Sequence, residues 1–319
     1  MLHAQACGLL SLGVRPRMYH AEFEEREYET PLYHQLRVAN NHVWSPGQVL
    51  EHHVGFDYSA LCVDSYFWAI HGIRDPFDGI FLEDFFRRRV WRRRDIGRPL
   101  PNFSLNLFLQ AKRPEVRARL TKALKGRALS SPYWRIGINA DQQRTLEVLA
   151  HAAAGKCLVC YATAAFDRLS QLYAHTSKGT IVANSSFPQA QWLSGHDAWN
   201  YNTPGAVGVA NADPRDIEGP TLEAQIAALI EENANAQDSG YDANLKNLAQ
   251  VVSRAAEAST EQRAGRAAMY FQRVAEVDAY TDALDLPRYR EPIKNFLKIL
   301  AFTGTFQLQW YVLSRSRYA

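Results

Sequence analysis

A chain of 319 residues that is 47% hydrophobic and 22% charged has enough apolar side chains for one large domain or two ordinary ones. Its formal charge of +3 is too small to grip a polyanion by bulk attraction, so any nucleic-acid site requires local clustering of basic residues. Four cysteines do not make a disulfide framework, and no apolar run approaches the roughly 18 residues of a membrane span, so a cytoplasmic protein with reduced thiols is expected.

Residues 1–20 read as an N-terminal extension. LLSLGV is far too short for a signal-peptide core, and Met18 is an alternative start. From Ala21 to about Ala39 the residues suit a helix that begins in a cluster of glutamates. Ser45-Pro46-Gly47 supplies a helix N-cap followed by proline at the first helical position, and Gly55 is a natural stop, so SPGQVLEHHVG reads as a short helix. Phe56–Val63, Leu105–Lys112 and Tyr133–Ile138 read as strands. Gln142–Ala154 carries a helical stripe of Leu146, Val148, Leu149 and Ala153, and Leu158–Ala165 is a continuous apolar run suited to a central buried strand. Residues 167–220 read as loop-rich with some strand. From Thr221 the composition turns to Ala, Glu, Gln, Leu and Arg at helical spacing, which predicts an all-helical C-terminal region over 221–319.

Chemistry concentrates on LNLFLQAKRP. In a strand Asn106, Phe108, Gln110 and Lys112 share one face, and Leu105, Leu107, Leu109 and Ala111 share the other. An amide and an ammonium thus close the polar face at the strand's C-terminal end, where open sheets build their sites. Upstream, Gly55-Phe56-Asp57 puts a carboxylate at the start of a strand directly after a helix carrying Glu51. Carboxylates, an amide oxygen and a lysine supply hard oxygen ligands for a hydrated Mg²⁺ ion and an ammonium to hold and polarise a water.

The order Glu, G-x-D, Q-x-K, a Gln- and Leu-rich helix and a buried strand resembles the PD-(D/E)XK nuclease superfamily, and its Q-x-K form is similar to the Mrr-like restriction endonucleases. The resemblance covers roughly residues 21–165. It implies a restriction-endonuclease-like αβββαβ core with a mixed sheet, and a DNA-directed, Mg²⁺-dependent endonuclease in which Mn²⁺ can substitute. By the same resemblance Asp57 is the principal metal ligand, joined by Gln110 and Glu51, and Lys112 orients or helps deprotonate the attacking water. Glu29 competes with Glu51 as the helix-borne acid. A bacterial restriction or antiphage role follows by analogy, with the helical region 221–319 as an oligomerisation or partner surface. A non-cutting nucleic-acid-binding or scaffold subunit is the alternative.

This sequence departs from the family in the long segment between Asp57 and Gln110, where a short hairpin is usual, so residues 70–104 read as an arginine-rich insertion in a nuclease-like domain spanning 21–220. It contains Arg87, Arg88, Arg89, Trp91, Arg92, Arg93 and Arg94, basic groups interleaved with an aromatic ring, a pattern that contacts phosphates and stacks on bases; their alternative is pairing with Asp75, Asp78, Glu83 and Asp84. Cys157-x-x-Cys160 lies in a strand-like run, and a spacing of three puts the two thiols on opposite faces, as core residues. His52 and His53 diverge by about 100° on a helix and chelate one ion poorly. His196 is a packed polar residue or a loop-borne base. No P-loop, G-x-S-x-G or H-E-x-x-H motif occurs.

Overall fold

The computed structural model describes residues 18–39, 42–47, 49–50, 103–236, 240–258, 264–283 and 290–315. The expected strand Phe56–Val63, the acids Glu51 and Asp57, His52 and His53, and the arginines and Trp91 of the 87–94 segment lie outside the described residues.

The described chain is mixed α/β, with seven α-helices and two sheets. In chain order it runs β1 (Met18–His20), α1 (Glu25–Ala39), β2 (Val43–Trp44), β3 (Phe103–Lys112), β4 (Glu115–Arg117), β5 (Tyr133–Gly137), α2 (Ala140–Ala152) and β6 (Cys157–Ala164). There follow α3 (Leu169–Lys178), β7 (Ser185–Ser186), β8 (Ala198–Tyr201), β9 (Ala206–Asn211), β10 (Arg215–Gly219), α4 (Leu222–Glu232), α5 (Gly240–Glu257), α6 (Ala264–Ala283), α7 (Arg290–Phe306) and β11 (Gln309–Ser314). Among the described residues no helix is long and apolar enough to cross a membrane.

The strands over 103–112, 133–137 and 157–164 and the helices over 25–39 and 140–152 fall where the sequence places them. Residues 46–47 and 49–50 are helical, as SPGQVL predicts, and are tied down by the Tyr241 hydroxyl, which donates to the Pro46 carbonyl. Two expectations are corrected. Residues 169–219 are more regular than a loop-rich reading allows, supplying α3 and four short strands. The C-terminal region is not all helical, because it returns as β11 to a central place in a sheet.

That sheet has five strands in the order β2-β11-β3-β6-β7. β3 and β6 are parallel, with Gln110 opposite Tyr161 and Lys112 opposite Thr163, whereas β11 is antiparallel to β3. Both faces of β3 are covered, which is why nine of its ten residues are buried. Leu105, Leu107, Leu109 and Ala111 pack against Tyr28, Leu32 and Leu36, the i, i+4, i+8 stripe of α1, and against Leu222, Ile226 and Leu229 of α4. Phe108 faces the other way, into Leu146 and Leu149 of α2, Leu245 and Val252 of α5, and Phe296 and Phe302 of α7. Phe103 joins this second face despite its odd number. The register moves from Leu313 opposite Leu105 to Ser314 opposite Phe103, so Ser104 is the extra residue of a β-bulge and the alternation flips there.

The second sheet, β1-β4-β5-β8-β9-β10, is antiparallel throughout. β5 therefore pairs with β4 and β8 and does not lie beside β3, although the sequence order suggests three consecutive strands of one core.

Candidate functional site

The parallel pair β3–β6 ends where three helices converge, and the polar face of β3 emerges there. Asn139 caps α2, its side-chain oxygen accepting from the backbone N–H groups of Asp141 and Gln142, which fixes Gln142 in the first turn. Gln142 shares a face with Leu146 and Leu149, so its amide is carried inward and is only 3% exposed.

That amide joins the two motif residues. Lys112 Nζ donates to Gln142 Oε1 at 2.8 Å, while Gln142 Nε2 donates to Gln110 Oε1 and, at 3.2 Å, to the carbonyl of Phe306 at the end of α7. Gln110 Nε2 is satisfied by the Ala111 carbonyl at 3.2 Å. The shared face of Gln110 and Lys112 is thus realised, but the Gln110 oxygen is engaged by a neighbouring amide and the residue is fully buried.

Helix α1 brings acid to the same place because its start is tied to the end of β3. Arg113 donates from Nε and Nη2 to the Ala21 carbonyl and from Nη1 to Glu24, and the Ala21 N–H donates to the Pro114 carbonyl. Glu25 and Glu29, one turn apart and both half-buried, then lie within electrostatic reach of Lys112. Burial raises the pKa of Glu25, opposed by the charge of Lys112 and by the Arg113 backbone N–H. Burial also raises that of Glu29, reinforced by repulsion from Glu25 and opposed by Arg26 and Lys112. Burial lowers the pKa of Lys112, the two glutamates pull it back, and Arg266 of α6 pushes it down again. Arg266 is exposed and forms no ion pair among the described residues. Two turns along α6, Arg273 Nη1 donates to Thr305 Oγ1 at 3.3 Å, beside Phe306, which anchors α6 over this end of the sheet.

Two partly desolvated carboxylates beside an ammonium are hard oxygen donors whose mutual repulsion a divalent cation would relieve, and in that respect they fit a Mg²⁺ site. Among the described residues no group of three or more His, Cys, Asp or Glu side chains is disposed to hold a metal ion. Asp57, the residue assigned as principal ligand, lies outside them, as does Glu51, whereas the competing acid Glu29 is at the site.

Gln142, Glu25 and Arg266 were not legible as site residues. Gln142 did leave a trace, since a glutamine on the apolar stripe of a helix demands a buried partner. Of the remaining candidates, Cys157 and Cys160 are free thiols packed on opposite faces of β6, and burial pushes both up, Cys157 to about 12, so neither is a ready nucleophile. Compared with known proteins, the chain matches no family model, no curated protein and no solved structure.

The network predicts its own energetics. Gln142→Leu strands the Lys112 ammonium and the Gln110 oxygen in a buried place, and each stranded group costs roughly 1–3 kcal/mol. Urea unfolding should show the loss as a lower midpoint at unchanged slope; a midpoint equal to wild type would mean that the three side chains do not depend on one another.

Proposed function

We propose that the chain is a metal-dependent nuclease that hydrolyses phosphodiester bonds in nucleic acid, DNA in the first instance. The observation that carries this reading is the Lys112 ammonium at the C-terminal end of β3, partly desolvated and held by Gln142, with the carboxylates of Glu25 and Glu29 beside it. The reading takes β3 as the motif strand of a restriction-endonuclease-like core, with α2 and the parallel strand β6 as the elements that follow it. Glu29, with Asp57, would hold the metal, and Mg²⁺ when bound would supply Lewis acidity toward a phosphoryl oxygen.

The protein's own groups divide the remaining work. Lys112 orients the attacking water and stabilises the negative charge it develops. The water oxygen forms a bond to phosphorus, the bond to the leaving ester oxygen breaks, and a proton passes from the water to solvent while the leaving oxygen acquires one. Arg266, exposed and facing Lys112, anchors a phosphate of the same strand, and the arginine-aromatic run over 87–94 is the second grip. A restriction or antiphage setting and self-association through the helices of the C-terminal region belong to the same proposal.

A second reading, a nucleic-acid-binding subunit that does not cut, draws support from the Gln110 oxygen, which is already engaged by Gln142. Incubating supercoiled plasmid with the protein, with Mg²⁺ and with a chelator, separates the two. Nicking that requires the metal supports the nuclease, and retention of intact plasmid on a gel in both conditions supports the binder.

Arg266→Ala tests the phosphate anchor in either case. Losing one phosphate contact should make the log–log salt dependence of binding shallower by about 0.7 to 0.9. Binding titrations at several salt concentrations measure that slope, and an unaltered one removes Arg266 from the interface.

A further inference from the structure

Beside the first turns of α2 lies a cavity of about 460 Å³ that the mechanism above does not use. It shares a wall with the Lys112 site, because consecutive residues of α2 serve the two: Gln142 binds Lys112, and Gln143 lines the cavity. Its far side is the loop before β8, which carries His196 and Asp197. That loop is pinned by backbone hydrogen bonds from His196 to Leu193, from Asp197 to Asn211 and from Ile138 to Asp197, the last at 2.8 Å.

The cavity's chemistry is asymmetric. Asp141, Glu147 and Asp197 bring three carboxylates against the single guanidinium of Arg144, so a phosphate is repelled and a ligand rich in N–H donors is welcomed. Gln143 cannot adapt to a ligand, since it already donates to Glu147 and to the Ala190 carbonyl, each at 2.7 Å, and accepts from the Tyr161 hydroxyl. His196 can, because its Nδ1 is shut off from solvent without a hydrogen-bond partner. Ile138 and Ala258 add apolar surface for the faces of a flat ring.

We infer that this cavity receives a nucleobase bearing an exocyclic amino group, adenine, cytosine or guanine, unstacked from the strand held at Lys112. Carboxylates accept from such amines, whereas thymine offers two carbonyl acceptors that the same carboxylates repel. Unstacking costs a few kcal/mol and least in single strands, so single-stranded or mismatched substrate enters most readily. This inference rests on the nuclease reading for the identity of the strand, and its test is separable from it.

Deoxyadenosine, deoxycytidine, deoxyguanosine and thymidine are titrated singly into the full-length protein while the ring proton signals of His196, assigned by their loss in His196→Gln, are followed by NMR. Amino-bearing nucleosides should shift those signals and bind at least about tenfold more tightly than thymidine. In Asp197→Asn, whose side chain is exposed and not needed for folding, that discrimination should shrink while Mg²⁺-dependent plasmid nicking is retained. Nucleosides that leave His196 unmoved, or thymidine that binds as well as the others, overturn the inference even if the plasmid is cut. Selective binding at His196 with an uncut plasmid upholds the base pocket and removes the nuclease.

Discussion

Purified Lys112→Ala protein is expected to lose Mg²⁺-dependent cleavage by about 10³-fold or more, the scale on which removal of a charge aimed at the reacting phosphate is felt. The fold should survive. The substitution deprives Gln142 Oε1 of its donor, which costs roughly 1–3 kcal/mol for a buried acceptor, but it leaves the apolar faces of β3 untouched. Circular dichroism and the urea midpoint therefore separate a chemical loss from unfolding. Lys112→Arg keeps the charge but spreads it over a planar fork, and it should recover binding better than rate. The same assay decides the helix-borne acid. Glu29→Gln should abolish cleavage if the acid beside Lys112 is the ligand, with Glu25→Gln milder; Glu51→Gln abolishing it while Glu29→Gln does not would return the role to Glu51. Asp57→Asn should be as severe as Lys112→Ala. Cleavage by Lys112→Ala at the wild-type rate would end its assignment and with it the nuclease reading.

Why Lys112 could be singled out at all follows from period. A strand buried on both faces shows itself as a continuous apolar run, and within LNLFLQAK the two polar residues at the end break that run on one face only. Partners are a different matter, because period says nothing about which strand lies alongside. YWRIG announces a strand, yet only the fold reveals that it pairs with β4 and β8 in the second sheet. Arg215–Gly219, RDIEG, has no apolar alternation to read, since as an edge strand it covers little core. The Gln142 bridge joins residues 32 positions apart, and the acids reach Lys112 from a helix more than 80 residues earlier in the chain, so neither could be placed from local pattern. QWYVLS did carry a strand signal in its aromatic and β-branched residues. It was masked by the helical composition just before it.

Ending the chain after Gln307 should leave a protein that does not fold cooperatively. β11 lies between β2 and β3, so its removal opens the hydrogen-bonding edge of a strand that is otherwise wholly enclosed. It also removes Trp310, Tyr311, Val312 and Leu313, none more than 2% exposed. Deleting one large core side chain costs about 2–5 kcal/mol, so losing four approaches or exceeds the roughly 5–15 kcal/mol that stabilises a typical domain. The graded version is Trp310→Ala. Trp310 stacks on Phe108 with ring planes 10° apart, packs against Phe296, and donates from Nε1 to Asn106 Oδ1 at 3.0 Å. Its truncation should cost about 3–5 kcal/mol. Asn106 keeps a second partner in Asn244, so Trp310→Phe, which loses the N–H but retains most of the ring contact, should cost only about 1–2 kcal/mol. Urea unfolding of the two variants measures both figures. If the truncated chain unfolds with a wild-type midpoint, β11 is an accessory strand and the Lys112 end of β3 is held by α1, α2 and β6 alone. If Trp310→Ala folds but is weakened as expected, its cleavage rate should fall only with the folded fraction, because it supports β3 two positions from Gln110 and four from Lys112 without touching either.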